Sequence, residues 1–205
     1  LSTDAVVMTR AGDVTILPLV VRMSNRVLLT TDTLSNRGGL RASGEFSSLN
    51  LKRIAGHLEF GENLRGNISG RFRNSPSGLP INVTILSDTF GYNQWVLDSL
   101  RVTAALDSGG MTLRRLTAVD SARTRFRGSG HIPWESMAGR TSPNDTISLA
   151  LSARGNLLAT FGRHMDSPIG GRGNGEAHIA VRGTAEGWQF TRGSIRIPEG
   201  KLKIA

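Results

Sequence analysis

The sequence predicts an all-β fold: an elongated, curled (taco-like), largely antiparallel β-sheet with a hydrophobic groove and one or two short helical turns. Three observations lead to it. Apolar and polar residues alternate with a period of two, glycine recurs inside and between the alternating runs, and helical periodicity is scarce. Only 38% of the 205 residues are hydrophobic and 5% aromatic, which is thin for one compact core. A sheet that curls at its glycines and lines a trough with its apolar face needs fewer large side chains.

The alternation is clearest in five runs, each with one apolar and one polar face, as in a half-buried antiparallel strand. These runs are residues 64–72, 79–85, 123–132, 147–152 and 177–182. Turn signals rich in Asn, Asp, Gly, Pro and Ser separate the strand-like runs at residues 36–39, 74–78, 107–110 and 185–187. The spacing predicts about a dozen or more strands.

Two segments, residues 47–54 and 156–163, have the composition of short helical turns that plug an end or cross over between strands. A loop at residues 133–145 divides the chain into a first β-groove segment, 1–132, and a second, 146–205. The glycine-rich stretch 170–176 is expected to be a flexible loop. Because the chain starts at Leu1 and stops inside a strand-like run, we expect it to be a piece of a longer protein.

The charge pattern argues against nucleic acid as a partner. The formal net charge is +9, and arginine supplies nearly all the positive charge because there are three lysines. Nucleic-acid-binding proteins concentrate such charge in clusters, whereas these arginines occur singly along the chain. No run of 18 apolar residues is present, so the sequence predicts no membrane-spanning helix in these residues.

The sequence offers no catalytic or metal-binding cluster. The four histidines show no metal-ligand spacing, and the absence of cysteine excludes disulfides and thiolate sites. Acidic residues are isolated, without a convincing pair for glycoside hydrolysis. We therefore expect no catalytic residues, no metal, no cofactor and no enzyme activity.

The candidate site is the apolar face of the alternating runs. Its candidate lining residues are Leu64, Ile68, Phe72, Ile81, Val83, Ile85, Phe126, Ile147, Leu149, Leu151, Ile179, Val181, Ile195 and Ile197. Alternation alone is equally compatible with two readings, a lined groove or the ordinary core of a β-sandwich. The arginines could attract anionic headgroups at the rim of such a groove or form a soluble outer face.

Several stretches carry a family resemblance. Residues 181–184 read VRGT, and residues 193–204 read GSIRIPEGKLKI. Upstream, residues 64–72 read LRGNISGRF and residues 125–133 read RFRGSGHIP. From Gly38 onward the chain resembles the TamB and AsmA-like family, which repeats a strand ending in "xGT", a short turn and "GxIxIxxGxLxI". The chain has Glu186-Gly187-Trp188 where the family often has an Asp-Pro pair, and it lacks the family's N-terminal anchor helix.

The resemblance implies a protein of the periplasm and cell envelope of a diderm bacterium, anchored in the inner membrane through a segment outside this chain. It implies phospholipid acyl chains as the partner, conducted in a hydrophobic groove toward the outer membrane. One alternative is a scaffold that assists outer-membrane protein assembly with an Omp85-type β-barrel, using the terminal strand KLKIA as its free edge. A second alternative is a β-solenoid or sandwich protein acting on carbohydrate.

Overall fold

The computed structural model describes residues 2–10, 13–23, 26–35, 41–55, 63–75, 78–134, 146–164, 169–184 and 187–204. Over these ranges the chain forms fifteen strands and two short helices. The strands are β1 (Ser2–Arg10), β2 (Asp13–Met23), β3 (Arg26–Ser35), β4 (Arg41–Asn50), β5 (Leu64–Ser75), β6 (Gly78–Ser87), β7 (Phe90–Tyr92), β8 (Trp95–Leu106), β9 (Gly110–Asp120), β10 (Arg125–Pro133), β11 (Ile147–Asn156), β12 (Ile169–Arg172), β13 (Asn174–Thr184), β14 (Gly187–Arg196) and β15 (Lys201–Ile204). The helices are α1 (Leu51–Ala55) and α2 (Leu157–His164). The predicted all-β class is confirmed.

Thirteen of these strands form one antiparallel sheet. Its order is β1-β2-β3-β4-β5-β6-β8-β9-β10-β11-β13-β14, with the short strand β7 pairing to β5 and β8. Nearly every strand therefore lies beside its neighbour in sequence, which is consistent with the predicted curled sheet. Strand β10 pairs directly with β11, so the segments before and after the predicted loop share this sheet. Residues 135–145 of that loop lie outside the described residues.

The last strand does not extend the large sheet. Strand β15 pairs with β12 in a separate two-stranded sheet, with Lys201 opposite Arg172 and Ile204 opposite Ile169. The expectation that residues 170–176 form a flexible loop is therefore wrong, because they contribute to β12 and β13. The expectation was wrong because glycine is found in strands as well as in loops, at positions where two backbones approach each other closely.

Several bulges keep apolar residues on one side of the sheet. In the stretch LRRL, Leu116 pairs with Gly128 and Leu113 with Gly130, so β9 has one extra residue between the two pairs. In LDSL of β8, the pairing shifts in the same way between Leu97 and Ser99. A bulge inserts one residue and bends the strand. Two polar residues between two apolar ones therefore leave both apolar residues on the same face.

Both helices begin after an asparagine that ends a strand. Asn50 accepts a hydrogen bond from the backbone N–H of Arg53 at 3.1 Å, and Asn156 accepts one from Ala159 at 3.4 Å. A side-chain oxygen at this position satisfies an N–H that the first helical turn leaves unpaired. The predicted helix at 156–163 is confirmed as α2. The predicted helix at 47–54 begins too early, because its first four residues belong to β4.

A buried cluster of polar side chains, Asp120, Thr124 and Thr160, lies under α2. Asp120 is 1% exposed, and its carboxylate accepts hydrogen bonds from the backbone N–H of Thr124 at 2.8 Å and the hydroxyl of Thr160 at 2.7 Å. The hydroxyls of Thr124 and Thr160 are themselves 2.7 Å apart. Leu157 of the same helix is fully buried. These contacts fix α2 against the turn between β9 and β10, because a buried carboxylate needs each of its partners.

Candidate functional site

Strand register gathers the alternating apolar residues into one continuous surface, here called the apolar face. Two rows of directly paired residues cross ten strands each, from β3 to β14. The first row is Thr31, Gly44, Phe72, Val83, Ala104, Leu113, Gly130, Leu149, Val181 and Phe190. The second row is Leu29, Phe46, Gly70, Ile85, Val102, Leu116, Gly128, Leu151, Ile179 and Gly193. Apart from Thr31, every member is apolar or glycine.

Nearly all the predicted lining residues occupy this face. Besides those in the two rows, Ile68 pairs with Leu49, Ile81 with Leu106, and Phe126 with Ala118. Leu64, Ile147 and Ile195 pair with Tyr92, Gly183 and Ala177 at its margins. Ile197 is different, because it follows the end of β14 and lies near Gly173 and Gly175.

The apolar face is buried at its centre, where Ala104 and Leu113 are 4% and 8% exposed, and is half-exposed on the strands to either side. Phe72, Val83 and Ile179 are intermediate in exposure, and Leu151 is 41% exposed. At the β14 end of the face, Phe190 is 78% exposed. Within the described residues the second sheet has two strands, β12 and β15. In the described part of the chain, no second sheet of comparable size is present to face this surface, as one does in a β-sandwich.

Glycines on the apolar face make room for large side chains from the neighbouring strand. The ring of Phe46 lies 2.7 Å from where a Cβ of Gly70 would stand, and the ring of Phe72 lies 2.9 Å from that point at Gly44. Leu149 and Leu151 cover Gly130 and Gly128 in the same way, at 2.7 and 2.8 Å. Each large side chain thus lies along the sheet over a glycine, a pairing that compensates for the glycine's missing side chain.

The opposite surface of the sheet, here called the arginine face, is strongly basic. Its exposed arginines are Arg71, Arg73, Arg101, Arg115, Arg125, Arg127, Arg154, Arg182, Arg192 and Arg196. Strand register places these arginines on the opposite surface of the sheet from the apolar rows, and not along the edges of those rows. These ten arginines therefore do not form the rim of the apolar face, and the alternative of a solvated outer face describes their position.

Four depressions lined by described residues lie on the arginine face. In each of them the polar residues flank the backbone of an apolar-face residue, as Arg127 and Ser129 flank Gly128. The largest has a volume of about 650 Å³ and spans β9 to β14. The apolar face itself is defined by its register and by the exposure of its side chains.

No cluster of three or more His, Asp or Glu side chains with metal-binding geometry occurs among the described residues. Nor does any helix in the described part of the chain reach the length and hydropathy that a bilayer crossing requires. Of the four histidines considered as metal ligands, His131 makes a 3.2 Å hydrogen bond with the hydroxyl of Thr112. His57 lies outside the described residues.

The sequence-based prediction missed much of the apolar face contributed by β8 and β9. Leu100, Val102, Leu113 and Leu116 belong to it, yet the strict alternation breaks at LDSL and LRRL. A signal was present: two polar residues between two leucines preserve the face if a bulge accommodates the extra residue.

No protein-family model, no curated protein and no solved structure matches this chain.

Proposed function

We propose that the apolar face binds lipid acyl chains and lets them slide along the sheet without any covalent step. The observation that carries this proposal is the pair of apolar rows, which continue over ten strands and hold half-exposed side chains on most of them, such as Phe72, Val83 and Leu149. Strands about 4.8 Å apart make each row about 43 Å long. That is well over the roughly 15 Å that one leaflet of a bilayer's hydrocarbon core occupies. Such a surface can hold several acyl positions in succession.

The energetics favour a binding surface without reactive groups. Each CH₂ group kept out of water contributes about 0.8 kcal/mol. A lipid on the apolar face keeps its acyl chains against residues such as Val83 and Leu149, while its headgroup remains in water at the margin. Successive positions along a row differ little in chemistry, so moving from one to the next requires no large barrier. Direction and energy input then come from outside this surface.

The setting proposed for this activity is the periplasm of a diderm bacterium. There the protein conducts phospholipids from the inner toward the outer membrane, anchored through a segment outside this chain. This setting rests on the resemblance of residues 181–204 to the TamB and AsmA-like repeats. The apolar rows are the feature that such a role requires, because a polar surface offers an acyl chain no gain over water.

Site-specific photo-crosslinking in cells tests the proposal. A photoreactive residue at Val83 or Leu149, both on the apolar face, is expected to capture phospholipid detectable by mass spectrometry. The matched controls are Thr84, the next residue after Val83, and Thr103, which pairs with Thr84, and register places both on the arginine face. Equal capture at both pairs of positions, or none at either, rules the proposal out.

A second candidate, a scaffold for outer-membrane protein assembly, is favoured by the exposed edge at β14. This strand ends the large sheet, and Phe190 and Ile195 on it are 78% and 58% exposed. The terminal strand proposed from sequence is β15, which pairs with β12 instead. A barrel partner that adds a strand would then bind β14. Its capture should survive deletion of residues 201–205 and be lost when Gly193 and Ser194 are both replaced by proline.

A further inference from the structure

The largest depression on the arginine face is built differently from its neighbours. Small residues form its floor, namely Ser129, Ala150, Ser152 and Ala180 from three adjacent strands. Large cationic side chains stand at its margins. A smaller depression of about 350 Å³ adjoins it, sharing Ser129, Ala150 and Ala180. Together they form a shallow channel over a floor that small side chains keep open.

The margins of the large depression concentrate positive charge. Arg114, Arg115 and Arg127 stand on the β9 and β10 side, and Arg192 stands on β14, with His178 between them. No Asp or Glu is among the residues that line it. The nearby acid Glu176 is engaged by Arg154 at 3.2 Å. No ion pair of Arg114, Arg115, Arg127 or Arg192 occurs within the described part of the chain, so their charge is uncompensated.

Two strand irregularities supply this charge. Arg114 and Arg115 lie at the bulge in β9, where strict alternation would have sent one of them to the apolar face. Arg192 directly follows the register shift in β14, where Thr191 is the extra residue between Phe190 and Arg192. Bulges redirect side chains and recur near functional sites. A bulge therefore places arginine on both margins of the depression. The strands that form these margins, β9 and β14, are four strand spacings apart, or about 19 Å.

We propose that this depression binds a ligand carrying two or more phosphate groups. Arginine presents a planar fork of N–H donors that matches phosphate oxygens in pairs, and such charge-assisted hydrogen bonds are the strong ones. The hydroxyls of Thr117, Ser129 and Ser152 add donors along the floor. We propose more than one phosphate because the arginines stand on both margins, three to four strand spacings or about 14–19 Å apart at the backbone, a spread that several phosphate groups match better than one.

The phosphates can belong to a soluble molecule or to a lipid headgroup, since both present the same chemistry to arginine. This site lies on the face opposite the acyl-chain surface. Either function can therefore fail while the other stands.

Isothermal titration calorimetry with inorganic tripolyphosphate tests the site. Replacing Arg127→Gln together with Arg192→Gln should weaken binding by about 10- to 100-fold, because each change removes charged donors from one margin. The matched control is Arg71→Gln with Arg73→Gln, which removes the same charge from a depression that also contains Glu45. The control should weaken binding by less than about threefold, through screened long-range charge alone.

A second variant tests the depression without changing charge. Ala150→Leu fills the floor at an exposed strand position, which a leucine occupies without disturbing the fold, and should weaken binding several-fold. Circular dichroism of each variant confirms that the sheet is retained. If the paired variants lose affinity equally, or if Ala150→Leu has no effect, the proposal is wrong.

Vesicles identify the source of the phosphates. Phosphatidylcholine vesicles with a bisphosphorylated inositol lipid present headgroup phosphates, and phosphatidylcholine alone is their control. Sedimentation with the phosphorylated vesicles, lost in the Arg127→Gln and Arg192→Gln protein, assigns a headgroup. Binding to tripolyphosphate without sedimentation assigns a soluble ligand. If the protein binds neither tripolyphosphate nor the phosphorylated vesicles, the proposal is overturned.

Discussion

The two faces of the sheet share one backbone and differ in almost everything else. On the apolar face, Leu100, Ala104 and Ala118 are 9%, 4% and 3% exposed, and glycines lie under large side chains from the next strand. On the arginine face the cationic side chains are exposed, and the ion pair of Arg154 with Glu176 is itself largely open to water. The comparison indicates that stability resides on the apolar face, while the arginine face is free to carry recognition.

The sharpest way to break this comparison is to place the same charge on each face. Ala118→Asp puts a carboxylate on the apolar face at a position that is 3% exposed. An unpaired buried charge should lower the free energy of unfolding by about 4 kcal/mol, measured by chemical denaturation. Ala150→Asp is the control on the arginine face, where it should change stability by less than about 0.5 kcal/mol. Similar losses for the two variants would show that the faces do not differ in this way.

A smaller effect is expected from filling a glycine. In Gly70→Val the new side chain meets the ring of Phe46, 2.7 Å from the Cβ position, and also the backbone of Thr84. This overpacking should cost about 2 kcal/mol in thermal or chemical unfolding. Gly193→Val lies in the same row but has no atom within 4 Å of its Cβ position. There valine should leave stability unchanged or raise it by about 0.5 kcal/mol. A loss of equal size at Gly193 would show that the close contacts at Gly70, with the backbone of Thr84 and the ring of Phe46, do not cause the destabilisation.

The smallest loss of stability is expected from removing one hydrogen bond to the buried carboxylate of Asp120. Thr160→Val removes the hydroxyl that donates to Asp120 at 2.7 Å, while it conserves the volume of the side chain. One oxygen of a buried carboxylate is left without this donor, which should cost about 1–2 kcal/mol of unfolding free energy. Thr103→Val is the control, because its hydroxyl makes only a 3.5 Å contact with the carbonyl of Arg115. If Thr103→Val loses as much unfolding free energy as Thr160→Val, the buried hydrogen bond to Asp120 contributes no more to stability than an exposed hydroxyl.

The strands themselves were largely predictable. Four of the five alternating runs lie wholly in strands, and the run at 123–132 does so from Arg125 onward, because a period of two is the pattern that a pleated, half-buried strand imposes. The turn at residues 107–110 is also confirmed, since Asp107 accepts hydrogen bonds from the N–H groups of Gly109 and Gly110 at 2.8 and 3.2 Å. The predicted turns at 36–39 and 185–187 fall wholly or mainly outside the described residues. Residues 76 and 77 of the turn at 74–78 do so as well.

The candidate site was only partly predictable. Thirteen of its fourteen proposed residues occupy one face, because alternation fixes which side of a strand each residue takes. Ile197 lies beyond the end of its strand, where alternation no longer determines position. The basic depression was not foreseen, since Arg115, Arg127 and Arg192 are far apart in sequence and meet only through pairing of β9, β10, β11, β13 and β14.

The sequence by itself determined the class of the fold, the strands and the two sides of each strand. These properties follow from local patterns, because neighbouring residues in a strand must point to opposite faces. Tertiary structure alone decided the register that joins the sides into two faces, and the pairing of β15 with β12 instead of β14. Backbone hydrogen bonds are alike for every residue, so the choice between partners depends on side chains that meet only after the strands are in place.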